Sequence, residues 1–277
     1  MQADLIYDLG FHKGEDADFY LRKGYRVVAV EGSPTLAAEG RARFADQIAQ
    51  GGLHLIEGAI APASAGDTIV FYENPTVSVW GTVKDDWASR NDALGHPSKR
   101  TVVKRLDMGE VFRAQGIPFY LKIDVEGVDR HILEQLAPFK DRPHYVSLES
   151  EKAEFSDLVA ELETLRDLGY KKFMPVQQES IPGTRINTRS RRGEPVEHVF
   201  KDHASGPFGD DLSASWLNFA DTIDAYRQVF TQYRRFGDTS TIKKLPSFAE
   251  RVVRKLYRLG SGHKGPLPGW FDTHASL

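Results

Sequence analysis

Short apolar runs alternate with amphipathic stretches over the first 175 residues of the chain. Residues 4–8, 26–32 and 53–60 (DLIYD, RVVAVEG and LHLIEGAI) are rich in apolar and β-branched residues, which is typical of buried strands. Between them, residues 15–23 and 35–50 carry helical patterns that each stop at a glycine. This βαβαβ alternation predicts an α/β fold with a doubly wound, mostly parallel sheet.

The same rhythm continues to about residue 177. Further strands are predicted at 67–74, 101–106, 118–127, 144–150 and 170–177, with helices at 107–116, 128–137 and 155–169. Residues 76–87 mix serine, threonine, tryptophan and glycine, so we expect a loop near the site there.

The last hundred residues have a different texture. We expect residues 1–177 to form the core, and residues 178–277 to complete the sheet within the same domain and to add a lid loop and a helical extension. The predicted parts are a polar, arginine-containing loop at 178–195, an edge strand at 196–203, a glycine-rich lid at 204–216, a helix at 217–235 and a basic tail from 243.

Composition narrows the class of protein. The 277 residues are 40% hydrophobic and carry a net charge of −3, so a large core is expected and a general nucleic-acid-binding surface is not. Cysteine is absent, which excludes disulfides, cysteine–zinc sites and a cysteine nucleophile. No targeting segment or run of membrane-spanning length is apparent, and we expect a cytoplasmic protein.

The stretch YDLGFHKGED at residues 7–16 places a glycine turn between a strand and a helix. A dinucleotide fingerprint, G-x-G-x-x-G, needs a middle glycine, and His12 stands in its place. Asp8 before the turn and Glu15 after it would repel a pyrophosphate. They would suit a ligand that carries an amino group or a sulfonium.

Acidic residues also end the next two predicted strands. Glu31 lies 21 residues after Gly10, where an acidic residue binds ribose hydroxyls, and Glu57 lies where an adenine would be. Together with Asp8 they favour S-adenosylmethionine over NAD. The plainer alternative is that Asp8 and Glu31 only cap turns.

These motifs resemble those of the FkbM-type methyltransferases. The matching segments are YDLGFHKGED, VVAVEGSP, FYENPTVSVWGTV and YLKIDVEGVDRHIL, of which KIDVEG is the most specific. The resemblance covers about residues 4–150 and extends weakly to 205–212 and 270–275. One departure is Gly32, where the family often has proline after the acidic residue.

The resemblance implies a class I methyltransferase fold, S-adenosylmethionine as cofactor and O-methylation of a sugar, a glycan or a glycosylated secondary metabolite. It places Asp8, Gly10 and Gly14 around the methionine part and Glu31 at the ribose. The implied cofactor-binding set is Asp8, Gly10, Phe11, His12, Gly14, Glu15, Glu31, Gly32, Ser33, Glu57, Gly58, Ala59 and Asp124.

Methyl transfer to a hydroxyl needs alignment of the reactants and removal of a proton. The candidate catalytic residues are Asp124 and Glu126, at the end of the KIDVEG strand, and Asp272 and His274 in the terminal segment. Mg²⁺ held by Asp124 and Glu126 would be another way to activate the hydroxyl. Alternatively, Asp124 binds the cofactor amine or pairs with Lys122 while Glu126 caps the next helix, and Asp272 and His274 only pack the tail.

The acceptor side is expected from Trp80, Gly81, Thr82 and Phe208. Trp80 could stack on a sugar face or lie in the core, and the arginines of 185–192 could contact an acidic acceptor or form a solvated surface. A small-molecule or glycan acceptor is expected, with no nucleic acid, and the oligomeric state stays open. Competing hypotheses are an NAD-dependent oxidoreductase and a non-catalytic nucleotide-binding module of Rossmann type.

Overall fold

A computed structural model describes residues 1–125, 127–150, 154–236, 240, 242, 245–261 and 270–277. The strands are β1 (Gln2–Leu9), β2 (Arg26–Glu31), β3 (Leu53–Glu57), β4 (Ala59–Ile60), β5 (Thr68–Glu73), β6 (Lys99–Leu106), β7 (Pro118–Ile123), β8 (Tyr145–Glu149), β9 (Lys172–Gln177), β10 (Arg185–Arg189), β11 (Pro195–Val199) and β12 (Phe271–Ser276). The helices are α1 (Glu15–Arg22), α2 (Pro34–Arg43), α3 (Ala45–Ala49), α4 (Asp85–Ala93), α5 (Met108–Gln115), α6 (Asp129–Leu136), α7 (Phe155–Asp167), α8 (Phe219–Phe236) and α9 (Ser247–Ser261).

Seven strands form the central sheet in the order β3-β2-β1-β7-β8-β12-β9. The neighbouring pairs from β3 to β8 are parallel, and β12 is antiparallel to both β8 and β9. The predicted doubly wound, mostly parallel α/β fold of the class I methyltransferases is therefore confirmed. The strand order reverses between β2 and β7, on either side of β1, which is where open α/β sheets bind their ligands.

Alternate residues of the strands face two apolar layers, as the period of two requires. In β1, Tyr7 and Leu9 point to a layer completed by α5, α6, α7 and α8, and Ile6 points to a layer completed by α1. Both layers are closed, so the central strands read as continuous apolar runs.

Two smaller sheets stand apart from the central one. The chain after β3 forms the sheet β4-β6-β5, which rises over the carboxyl ends of β1 and β2, and β10 and β11 form a separate hairpin. The predicted loop at 178–195 therefore contains a strand, and the strand predicted at 196–203 is not an edge of the main sheet. Residues 76–87, predicted as a loop, include a single 3₁₀ turn at Ser78–Trp80 and the start of α4.

The segment 204–216, predicted as a lid, packs against the sheet instead. The backbone N–H groups of Ser205 and Gly206 donate to the buried Asp16 carboxylate, and the Phe208 ring stacks on Tyr120 at 4.3 Å between centroids. Phe208 and Tyr120 are both buried. This segment covers a face of the sheet and does not form a lid over the ligand edge.

No helix in the described part of the chain is both long and apolar enough to cross a bilayer.

Candidate cofactor and acceptor site

A cavity of about 650 Å³ opens at the carboxyl ends of β1, β2 and β7, below the β4-β6-β5 sheet. Its volume falls in the range of small-molecule sites. Of the residues predicted for the site, those that line it are Gly10, Phe11, His12, Glu15, Glu31, Gly32, Ser33, Gly58, Ala59, Gly81, Thr82 and Asp124. Residues from distant parts of the sequence therefore meet at the edge that the strand pattern predicted.

The turn after β1 joins three strand ends. Gly10 has φ +85°, and a Cβ there would lie 1.9 Å from the Asp124 carbonyl oxygen, so a side chain has no room. Its N–H donates to the Val30 carbonyl at 3.1 Å, and the Asp124 N–H donates to the Leu9 carbonyl at 3.0 Å. Gly10 thus lets the ends of β1, β2 and β7 close together on the ligand side.

Glu31 holds the adjacent part of the cavity wall. Its carboxylate accepts the N–H of His12 at 2.7 Å and the N–H of Ser33 at 2.8 Å. Burial raises the pKa of Glu31, and the two backbone hydrogen bonds partly offset that rise. Each oxygen has one protein donor, which leaves acceptor capacity directed at the cavity for the hydroxyls of a ligand.

Lys122 lies at the centre of a buried acidic cluster. Its Nζ is 3.1 Å from Asp8, 3.4 Å from both Asp16 and Asp124, and donates to the Gly10 carbonyl at 3.0 Å. Burial raises the pKa of Asp8 to about 7 despite the nearby ammonium, and the three carboxylates hold the pKa of Lys122 high against the effect of burial. Three carboxylates around one ammonium suit a cationic ligand group.

Asp16, Lys122 and Asp124 of this cluster line the cavity, and Asp124 has the most exposed side chain of the cluster. Its side chain is 41% exposed, whereas those of Asp8 and Asp16 are almost fully buried. Asp8 does not line the cavity, and its Oδ2 atom has no hydrogen-bond partner. Asp8 therefore lies behind Lys122, away from the cavity, whereas Asp124 forms part of the cavity wall.

Two histidines meet at the cavity wall. His12 and His203, with φ of 51° and 69°, are the non-glycine residues with positive φ in the described chain, and their rings are 5.4 Å apart. His12 Nδ1 lies 3.2 Å from Glu15, and Nε2 lies 2.8 Å from Ser78 Oγ. Backbone strain of this kind collects at functional sites. Sequence reasoning did not select His203, because 190 residues of intervening chain hide its proximity to His12.

Beside apolar residues, the chain from β5 to β6 adds polar side chains to the cavity wall. These are the side chains of Glu73, Asn74, Thr76, Ser78 and Lys99. The Asn74 side chain accepts the N–H groups of Thr76 and Val77 at 3.1 and 2.9 Å, which fixes this turn. Sequence reasoning missed these residues: Glu73 and Asn74 end a predicted strand, Thr76 and Ser78 fall in a predicted loop, and Lys99 carries no motif.

Several predicted site residues lie elsewhere. Glu57 pairs with Arg41 at 2.7 Å on a partly exposed surface and does not line the cavity. Trp80 also lies outside the wall, with its ring 5.4 Å from that of His96, and Phe208 is buried against Tyr120. The adenine position proposed for Glu57 and the acceptor positions proposed for Trp80 and Phe208 are therefore not supported by the geometry.

Gly14 and the terminal pair are structural in their placement. Gly14 begins α1 at φ 75°, with Phe11 and Phe44 packed where its Cβ would be. Asp272 and His274 are buried in β12 between β8 and β9 and do not line the cavity. Burial lowers the pKa of His274 to about 3, and neither ring nitrogen has a hydrogen-bond partner. Burial and the nearby Asp124 carboxylate raise the pKa of Asp272, so this residue lies close to the Lys122 cluster without lining the cavity, and a catalytic role of the pair stays a prediction.

Asp124 and Glu126 were predicted as a pair that could hold Mg²⁺, and Glu126 lies outside the described residues. Among the residues that are described, no group of three or more histidine, aspartate or glutamate side chains is arranged to hold a metal ion.

Comparison with known proteins decides the family. Residues 8–172, well over half of the chain, match the methyltransferase FkbM domain. The chain belongs to the FkbM methyltransferase family. It is an S-adenosylmethionine-dependent methyltransferase, which confirms the resemblance, the enzyme class and the cofactor predicted from sequence.

Solved structures of other methyltransferases are distantly similar. The FkbM methyltransferase from Methylobacillus flagellatus KT is 14% identical over 62% of this chain and 40% of that chain, with a TM-score of 0.38. The O-methyltransferase from Bacillus cereus in complex with SAH is 12% identical over 70% and 71%, with a TM-score of 0.36. The precorrin-6y C5,15-methyltransferase from Geobacter metallireducens GS-15 is 14% identical over 72% and 78%, with a TM-score of 0.35. These scores are too low to carry any argument about the acceptor. Among curated proteins, none matches the chain significantly.

Proposed function

We propose that this FkbM methyltransferase transfers a methyl group to a hydroxyl of a sugar, a glycan or a glycosylated secondary metabolite. The observation that carries the proposal is the group of polar side chains in the cavity wall, Glu73, Thr76, Ser78 and Lys99. A hydroxyl-rich acceptor finds there the donors and acceptors that replace its hydration. The net charge of −3 argues against a nucleic acid as the acceptor.

The inner wall fits S-adenosylmethionine. Glu31 has spare acceptor capacity for the ribose hydroxyls, and Gly58 and Ala59 border the space for the adenine. The acidic cluster around Lys122 complements the positive charges of the ammonium and the sulfonium of the methionine part. When bound, the cofactor supplies an electrophilic methyl group on a sulfonium.

Asp124 is our candidate for the residue that acts on the acceptor. It lies at the end of β7, lines the cavity and is the exposed carboxylate of the Lys122 cluster. We assign it to the reacting centre, where it orients the acceptor hydroxyl and takes its proton. The His12–His203 pair is the second candidate for the proton, since both residues line the cavity and Glu15 orients the His12 ring.

Cofactor binding tests the assignment of Glu31. The variant Glu31→Gln replaces a charged hydrogen-bond acceptor by a neutral amide. We therefore expect the affinity for S-adenosylhomocysteine, measured by titration calorimetry, to fall about 10- to 100-fold. The matched control is Glu57→Gln, at the end of the neighbouring strand but outside the cavity, which should bind within about twofold of the wild type. Equal losses in the two variants would contradict the assignment.

Methyl transfer tests the acceptor class and the role of Asp124. With labelled S-adenosylmethionine and panels of hydroxyl, amine and carbon acceptors, we expect transfer to glycosides and a loss of at least about 100-fold in kcat for Asp124→Asn. The variants His12→Gln and His203→Gln test the second candidate, because loss of a histidine base would lower kcat about 100-fold, whereas Asp124→Asn would then lower it less. Transfer confined to amines or carbon acceptors would overturn the proposed acceptor, and full activity of Asp124→Asn would overturn its role.

A further inference from the structure

Helix α9 contacts the described part of α8 through one of its sides. Its Tyr257 ring packs on the Phe236 ring at 4.7 Å between centroids, and Arg254 donates to the Phe236 carbonyl at 2.9 Å. Arg254 also pairs with Glu250 one turn earlier. These three α9 residues face the end of α8, so the opposite side of α9 points outward.

The outward side combines an apolar stripe with a basic row. Phe248, Val252, Leu256 and Leu259 are exposed by 74%, 40%, 63% and 74%. At about 100° per residue they fall within an arc of about 80°. Exposed Arg251, Lys255 and Arg258 occupy the adjoining arc, and the single acidic residue of the helix, Glu250, is on the inner side. An exposed apolar stripe beside a row of cations is the pattern of a helix that lies in a membrane interface.

The helix lies at the same edge of the sheet as the cavity. The α8 helix starts after Leu217, which pairs with Phe173 near the start of β9, and runs towards the carboxyl edge. There the Phe230 ring meets Phe155, the first residue of α7. Phe236 lies further along α8, so α9 extends from the carboxyl edge. Exposed Trp270, just before β12, is at this edge as well.

We propose that the outward face of α9, formed by Phe248, Val252, Leu256 and Leu259 with Arg251, Lys255 and Arg258, binds the surface of an anionic lipid membrane. The apolar stripe would enter the boundary between headgroups and acyl chains, and the basic row would lie over lipid phosphates and carboxylates. The charge distribution favours an anionic membrane, because the basic row complements lipid phosphates and carboxylates, whereas an antiparallel contact between two copies of α9 would bring two like-charged rows together. This proposal does not depend on the identity of the methyl acceptor.

Vesicle binding by the whole chain tests the proposal. We expect the protein to sediment with phosphatidylcholine vesicles that contain about one third phosphatidylglycerol, and not with pure phosphatidylcholine. Raising the salt from about 0.1 M to about 0.5 M should release it. Two variants remove one component each: Leu256→Gln with Leu259→Gln for the stripe, and Arg251→Gln, Lys255→Gln and Arg258→Gln for the row. Each should weaken binding to anionic vesicles at least about tenfold.

The matched controls change exposed residues elsewhere. The triple variant Lys140→Gln, Lys171→Gln, Lys201→Gln removes the same charge, and Leu94→Gln removes an exposed apolar side chain. Both should bind like the wild type, and circular dichroism and melting confirm that all variants fold. The proposal fails if the wild type ignores anionic vesicles or if the α9 variants bind as well as the controls. It also fails if the α9 variants only convert a dimer to a monomer in light scattering, which would make the face an interface between copies.

Discussion

At the scale of single residues, the candidate site is formed by side chains whose contact partners lie far away in the sequence. Glu31 and Gly10 could be predicted, because each sits at a strand end in a local motif. The cluster around Lys122 could be predicted only in part. The spacing of Lys122 and Asp124 suggested a pair, but Asp16 joins it only through the packing of α1 on the sheet, and no local pattern records that packing.

His274 illustrates a residue whose chemistry depends on burial alone. A histidine near a terminal aspartate suggested a base, yet both lie inside the sheet and His274 has no hydrogen-bond partner. Burial lowers its pKa from 6.5 to about 3. Below about pH 6.5 the unfolded chain therefore takes up a proton that the folded protein does not, and stability is lost as the pH falls.

Replacing His274 should remove this acid sensitivity. We subtract the free energy of unfolding of the wild type from that of His274→Leu. We expect this difference to be about 2 kcal/mol larger at pH 5 than at pH 8, because only the wild type is destabilised by acid at this position. Urea denaturation at the two pH values measures the difference. His54→Gln, which replaces an exposed histidine of β3, is the control and should show the same difference from wild type at both. A pH-independent effect of His274→Leu would show that the histidine is charged or solvated in the folded protein.

At the scale of elements, the sequence predicts where a turn lies more easily than which part of the fold a loop packs against. The turn from β1 to α1 carries its own glycines, whereas the segment 204–216 has the composition of a mobile loop and yet packs against the sheet. Its glycines and polar residues gave the loop correctly. The local sequence does not predict that Phe208 stacks on Tyr120, or that two backbone N–H groups of the segment donate to Asp16. Those partners are brought together only by the tertiary fold.

The turn at Gly10 yields a sharp prediction. An added Cβ would collide with the Asp124 carbonyl oxygen at 1.9 Å, and φ is +85°. Gly51 has φ +74° but nothing within 4 Å of its would-be Cβ. Gly51→Ala should therefore cost about 1 kcal/mol, the backbone strain alone, whereas Gly10→Ala should cost at least about 3 kcal/mol and also weaken the binding of S-adenosylhomocysteine.

Chemical denaturation and calorimetry on both variants check this prediction. The difference between them isolates the collision, since the two positions share the left-handed backbone. Equal losses of stability, with cofactor affinity kept in Gly10→Ala, would show that the ends of β1 and β7 can separate without consequence.

At the scale of the whole molecule, the alternating pattern predicted the parallel half of the sheet but not its closure. The strand β12 comes from the last residues of the chain and lies between β8 and β9, which are neighbours in sequence but not in the sheet. The apolar pattern of FDTHAS is too short to indicate such a position. Only the weak likeness of WFDTHA to the family pointed to a role for the end of the chain.

This topology bears on the division of the chain at residue 177. A fragment of residues 1–177 keeps β9 but loses β12, and β12 is the strand that pairs with β9 along Phe271–Ser276 and with β8 along Asp272–Ser276. Both β8 and β9 would then present open edges, and the layer that α8 covers would face water. We therefore predict that the fragment does not fold by itself and that the two parts form one domain.

Expression of the 1–177 fragment beside the whole chain tests this prediction. We expect the whole chain to melt in one cooperative transition that S-adenosylhomocysteine shifts upward, and the fragment to show no cooperative transition and no ligand-dependent shift. Removing Leu277 alone is the control, because its side chain is partly exposed and it follows the last strand residue, so that variant should melt within a few degrees of the wild type. A fragment that melts cooperatively and binds the cofactor would show that β1 to β9 suffice for the fold. The end of the chain would then serve to cover the β8 and β9 edges and not to hold the sheet together.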